Sequence, residues 1–265
     1  MTSFLRFWSR RELLVFLVFI PLLLFSIFIL PLDLKEKYFI LHSENPSIPS
    51  IFLANYTHSD LTHLSDNLVG YYFVMFPLFA ITTGKEFFRK MMLFLFILLP
   101  FILSFAYLLA FRSGSTQGFS GIVAGLYGYF LFAVYLNLKD RQRIRKIDEF
   151  FPMFLFSLNA FIVVLVHRIV FLLIIIAVVC AFLGFLARKG MRNLFRWLCK
   201  SLKEASLFGR IYGSLILCLS LFVVFQLPLL LPAEIIVDGK VINILAHYLG
   251  YVFGFFVPFF TYRLR

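Results

Sequence analysis

Apolar runs of membrane-spanning length recur along this chain, separated by short polar segments in which the basic residues gather. About 20 apolar residues cover the hydrocarbon layer of a bilayer as a helix, and within lipid every backbone N–H and C=O must find its partner inside the protein. An all-α polytopic membrane protein is the expected fold class. Composition agrees, with 62% of residues hydrophobic and 14% charged, far from the mix of a soluble domain. The net charge of +12 does not call for nucleic acid. The Lys and Arg residues lie in short clusters between apolar runs, as the positive-inside rule distributes them. The lipid bilayer is the expected partner, and no nucleic acid is.

The first expected span covers residues 13–32 and follows a basic stretch holding Arg6, Arg10 and Arg11 with no small-residue cleavage site, which reads as a retained anchor. Pro21 and Pro31 within it require neighbours that satisfy the carbonyls proline frees. Residues 33–57 form a long polar outer loop. Further spans are expected at 60–83, 91–111 and 120–138. Residues 150–187 are apolar for longer than one span needs, and His167-Arg168 marks a tight turn between two. The basic segment 188–210 reads as an amphipathic helix lying on an anionic membrane surface. Spans at 211–231 and 241–262 complete eight. With the N-terminus inside, the inner segments hold 20 Lys and Arg and the outer ones 5, which places both termini in the cytoplasm. The chain thus divides into 1–32, a basic segment with the first span; 33–57, the outer loop; and 58–265, a membrane core in which 150–210 holds the helix pair and the basic segment. Cys180, Cys199 and Cys218 show no paired spacing and are expected to pack rather than to form disulfides or bind a metal; no cofactor is expected.

Topology puts the starts of the second, fourth and eighth spans at one depth near the outer surface, and chemistry-bearing residues gather there. Ser120 opens the fourth span among Gly118, Gly121, Gly125 and Gly128, whose helical spacing lets another helix approach closely. At a helix start its hydroxyl meets water and its own N–H has no partner in the helix. Without other residues, this is equally a small-residue packing face with a capping serine. His63 and Asn67 in the second span are four apart and share a face, where both can donate to one oxygen or simply bond headgroups and loop carbonyls. His58 falls in the lead-in to that helix. His247 lies inside the eighth span, where a histidine is costly and by default functional, with Gly250 and Gly254 along the same face.

These residues form three motifs, His58-x4-His63-x3-Asn67, Gly118-Phe119-Ser120-Gly121 and Ala246-His247-x2-Gly250-x3-Gly254, and with them the chain resembles the rhomboid family of intramembrane serine proteases. The resemblance covers roughly 56–262. It implies a rhomboid-like six-helix core, here with an added pair of helices, in an integral protein of a prokaryotic cell membrane. It implies Ser120 as nucleophile and His247 as general base of a catalytic dyad. His63, Asn67 and the Ser120 N–H would line the oxyanion hole, with His58, Gly118, Gly121, Gly250 and Gly254 structural near the site. Transmembrane protein substrates are the implied partners, and no metal or cofactor is implied. The chain departs from the family in three places. Ala124 stands where a tyrosine often stacks on the histidine, with Tyr127 one turn deeper as candidate substitute and Asn243 as a possible tautomer-setting group. No Trp-Arg pair occurs in the 33–57 loop. Three spans, not one, separate the serine and histidine helices; two extra crossings preserve the side from which the last helix enters.

The nearest rival is a pseudoprotease that binds client membrane helices without cutting them. A transporter, more distant, calls for internal repeats or charges within spans, and neither is evident. Eight spans require residues 168 and 146 on opposite sides. Single cysteines at Arg168 and Lys146 should label from opposite faces of sealed vesicles; labelling of both from one face would remove the split at His167.

Overall fold

The computed structural model describes residues 8–144, 147–204 and 244–264, with 214, 218, 221, 236–237 and 240–241 between them. The chain is an all-α polytopic membrane protein. Among the described residues six helices are long and apolar enough to cross a membrane: α1 (Arg10–Phe28), α4 (Leu61–Ile81), α5 (Lys85–Ala110), α6 (Ser120–Arg141), α8, whose apolar stretch lies within Val170–Lys200, and α9 (Ile244–Arg263). A shorter apolar helix, α7 (Phe150–Val166), precedes α8, which runs on to Glu204. Two short helices, α2 (Leu32–Tyr38) and α3 (Ile48–Leu53), lie in the outer loop. Two-residue strands β1 (Leu41–His42) and β2 (Ser115–Thr116) pair antiparallel, Leu41 opposite Thr116, and β3 (Ile236–Val237) pairs with β4 (Lys240–Val241) just before α9. The expected span at 211–231 and Asn243 lie outside the described residues, apart from 214, 218 and 221.

Helix α6 is the most enclosed of the long helices, and α8 the least. Against α6 packs α9, by backbone contact through glycine. A Cβ on Gly250 would fall on the Gly121 carbonyl oxygen, one on Gly254 on the Gly125 carbonyl, and one on Gly128 on the Tyr251 carbonyl. Small residues are how helices gain packing energy in lipid, where no hydrophobic drive separates protein from solvent tails. The interlock sets the level of one helix against the other: Gly121 faces Ala246 at one end, and Gly128 faces Tyr251 and Phe255 deeper in.

Helices α1 and α5 each contain a five-residue π segment, Val15–Phe19 and Phe94–Leu98. Proline explains where they fall. Pro21 lacks the N–H that would bond the Leu17 carbonyl, and Pro100 lacks the one for Phe96. Both carbonyls are taken by tyrosines, Leu17 by the Tyr72 hydroxyl at 2.9 Å and Phe96 by the Tyr56 hydroxyl, while Tyr71 donates to Phe16 at 2.5 Å. The requirement that Pro21 imposes is thereby met by α4. At the other end of α1, Glu12 pairs with Arg89 of α5 at 2.8 Å and Trp8 donates to the Phe79 carbonyl.

Two expectations need correction. The basic segment from residue 188 is not a separate surface helix: α8 is continuous for 35 residues, about 50 Å at 1.5 Å per residue, and so extends well beyond a bilayer core. Nothing stops it, because the inward-facing stripe continues through Ala187, Met191 and Leu194 while Arg188, Lys189, Arg192 and Arg196 point away. Cys199 is exposed on this extension and Cys218 is exposed too, so only Cys180 is a buried packing residue. Between α7 and α8 the chain reverses at His167-Arg168, with Arg168 at φ +55°.

The glycine interlock predicts a steep local cost. Gly254→Ala should destabilise the purified protein by at least about 1–3 kcal/mol, since a packed backbone must shift. Gly84→Ala, where the nearest atom to a new Cβ is 4.0 Å away, should cost less, about 0.5–1 kcal/mol for a poorer N-cap residue. Unfolding in detergent compares them.

Candidate active site

The loop between α1 and α4 is secured before the site is built. A short 3-10 turn, Ala54–Tyr56, is bound to α5 by Tyr56 and by Asn55, whose side chain donates to the Pro100 carbonyl at 3.2 Å and to Ser104 Oγ at 2.9 Å. The Ala54 carbonyl then accepts the Gly118 N–H at 2.9 Å. Gly118 has φ +139°, a conformation for glycine, and is followed by the fully buried Phe119. The Phe119 ring sits among those of Tyr56, Tyr71 and Phe96, with centroids 5.8–6.0 Å away. A buried aromatic behind a left-handed glycine holds the chain so that the next residue, Ser120, begins α6 half-exposed.

Across from it, the first turn of α9 brings His247, buried at 9% exposure. Ser120 Oγ and His247 Nε2 are 2.5 Å apart, in hydrogen-bond contact. A hydroxyl held on an imidazole nitrogen can give up its proton as its oxygen attacks an electrophile, provided that nitrogen is the unprotonated one.

His63 completes the cluster from α4. Asp60 caps that helix and accepts the His63 backbone N–H at 2.9 Å, while Ser59 donates to the other carboxylate oxygen at 2.7 Å. The His63 ring lies against Gly118: a Cβ there would stand 3.2 Å from His63 Nε2 and 3.7 Å from Ser120 Oγ. His63 and Ser120 therefore share one small space that only glycine leaves open. Asn67 is buried, one turn along, and its Nδ2 donates to the His63 carbonyl at 2.9 Å. An amide nitrogen carries two hydrogens, so one remains for another acceptor. His58 is fully buried, its ring edge-on to His63 with centroids 5.0 Å apart. The structure thus brings Ser120, His247, His63 and Gly118 together, with Gly121 and Gly250 in the contact that aligns the helices. Tyr127 lies seven residues beyond Ser120, about 10 Å along the axis, near the level where Gly128 meets Tyr251 and Phe255. It is not level with His247, and Ala124 is buried. Among the described residues no three His, Cys, Asp or Glu side chains converge to hold a metal.

Compared with protein-family models, curated proteins and solved structures, the chain matches none.

Asn55, Ser104 and Gln117 were not singled out by the sequence, yet with Ser120 and Ala246 they line a cavity of about 20 Å³, room for one water molecule. The signal was faint. Ser104 is one small hydroxyl in an apolar span without ionisable residues, and Asn55 is one polar residue in a polar loop.

Burial pushes the His58 imidazole down to about 3 from an ordinary 6.5, and the neighbouring His63 adds to the shift. Neither ring nitrogen has a hydrogen-bond partner among the described residues. Below pH 6.5 the unfolded chain takes up a proton here that the folded protein refuses until about pH 3. The stabilising contribution is complete above 6.5 and declines as pH falls through that window, at up to about 1.4 kcal/mol per pH unit. Measured from about pH 7 to pH 4, wild type should lose unfolding free energy relative to His58→Phe. A constant difference would mean that His58 is not held neutral in the fold.

Proposed function

We propose that this chain is an intramembrane serine endopeptidase with a rhomboid-like core of six helices and an inserted pair, eight spans in all, placed in a prokaryotic cell membrane with both termini cytoplasmic. The observation that carries the proposal is the 2.5 Å contact between Ser120 Oγ and His247 Nε2, made between residues of two of the three sequence motifs at the non-basic end of their helices. The ring of the third motif's His63 beside Ser120 adds support.

In the proposed reaction Ser120 attacks the carbonyl carbon of a peptide bond as its proton passes to His247. The negative charge that develops on the substrate oxygen would be met by His63, by the second amide hydrogen of Asn67 and by the Ser120 backbone N–H. His247 then returns the proton to the leaving amine. The acyl group left on Ser120 is released by water, which His247 deprotonates in turn. Because a helical carbonyl is occupied by its own i to i−4 hydrogen bond, the cut segment must first unwind. Substrates would be membrane proteins with small or helix-weakening residues at the outer end of a span.

In reconstituted vesicles a single-span substrate with Gly or Ala at its outer boundary should be cut, and one with an uninterrupted Leu helix should resist. Ser120→Ala and His247→Ala should each abolish cleavage and fluorophosphonate labelling while leaving the protein folded. Asn67→Ala should lower turnover more than substrate binding, by up to about 2.7–4 kcal/mol in activation free energy. Inhibitor-sensitive cleavage by purified Ser120→Ala would assign the nucleophile to another residue. Binding of the substrate helix by wild type with neither cleavage nor labelling would favour the pseudoprotease.

A further inference from the structure

Helices α6 and α9 meet again at their far ends, on the opposite side of the membrane region from Ser120 and His247. There they border an open pocket of about 310 Å³, within the range of small-ligand sites. The buried Phe132 and Phe259 back the pocket, and Tyr135, Lys139, Tyr262 and Arg263 contribute polar groups. The Lys139 ammonium hydrogen-bonds the Tyr135 hydroxyl at 3.1 Å and lies over the faces of Tyr135 and Tyr262, 5.4 and 5.2 Å from their centroids. The two acids nearby are engaged elsewhere: Glu149, also in the pocket wall, pairs with Arg263 at 2.9 Å, and Asp140 accepts from Tyr262 at 3.4 Å. No described carboxylate pairs with Lys139.

We propose that this pocket binds the phosphate headgroup of an anionic membrane lipid. The Lys139 ammonium gives one hydrogen to Tyr135 and has the Asp140 carboxylate nearby but not in ion-pair contact, so hydrogens remain for an anionic oxygen. The Tyr135 hydroxyl, which accepts from Lys139, adds a donor at the same rim. A free anion gains only this polar rim, whereas a lipid places its headgroup there while its acyl chains stay in the bilayer beside the helices. Basic pockets between helices on the positively charged side of a membrane protein are where lipid phosphates are held, and Lys85, Arg89, Lys90, Arg141 and Arg143 cluster at this end in the sequence. The occupant would bridge the ends of the two helices whose other ends carry Ser120 and His247.

The test is thermal unfolding of the full chain in a neutral detergent, with added phosphatidylglycerol, phosphatidylcholine of the same acyl chains, or inorganic phosphate. Phosphatidylglycerol should raise Tm by several degrees more than phosphatidylcholine, and inorganic phosphate should raise it little. Lys139→Gln should lose at least half of the phosphatidylglycerol increment, whereas Lys37→Gln, at the other end of the molecule, should keep it. Tyr135→Phe, which retains the ring but not the hydroxyl, should lose part of it and serves if Lys139→Gln does not fold. An increment unchanged in Lys139→Gln, or in Tyr135→Phe where that variant is the one that folds, would overturn the proposal. So would equal protection by inorganic phosphate, which would mark a site for soluble anions.

Discussion

The backbone contact between α6 and α9 is the constraint on which the rest of the molecule depends. In lipid, two helices gain little by burying apolar surface against each other, so close approach must come from side chains that are absent. Gly128 on one helix and Gly250 and Gly254 on the other let carbonyl oxygens stand where a Cβ would be, while Gly121 and Gly125 leave room for Leu103, Leu99 and Leu95 of α5. Such a contact tolerates little sliding or rotation. It aligns the start of α9 with the start of α6, and the Ser120–His247 hydrogen bond follows from that alignment.

A second set of contacts determines where Ser120 itself emerges. Prolines in α1 and α5 free carbonyls in the middle of apolar helices, which would be costly in lipid without a donor. Tyr72 and Tyr56 supply the donors, and their hydroxyls consequently bind α1 to α4 and the outer loop to α5. Tyr56 also helps enclose Phe119, and the adjacent Ala54 holds Gly118. A defect in helix hydrogen bonding is thus turned into the anchorage of the serine loop, and the pairing of β1 with β2 ties the same loop to the outer segment.

The two ends of the α6–α9 pair have opposite chemical character. One end gathers a serine and three histidines beside a cavity large enough for a single water. Hydrolysis as proposed needs room for a water beside the serine. The other end gathers ammonium, guanidinium and tyrosine groups around an open pocket facing the basic side.

Much of this was legible in the sequence, for a physical reason. Twenty consecutive apolar residues have one stable use in lipid, and a fixed rise per residue converts position in a span into depth. Ser120, His63 and His247 could therefore be placed at one level from residue numbers alone, and His167-Arg168 could be read as a break. Depth says nothing about rotation or lateral distance, which depend on how side chains on different helices interlock. That Asn55 and Ser104 meet beside Ser120 and that α8 continues unbroken for 35 residues were decided by packing between segments far apart in the chain. The sequence by itself determined which residues share a depth; only the tertiary structure, through glycine contacts that leave no room for a Cβ, decided which of them touch.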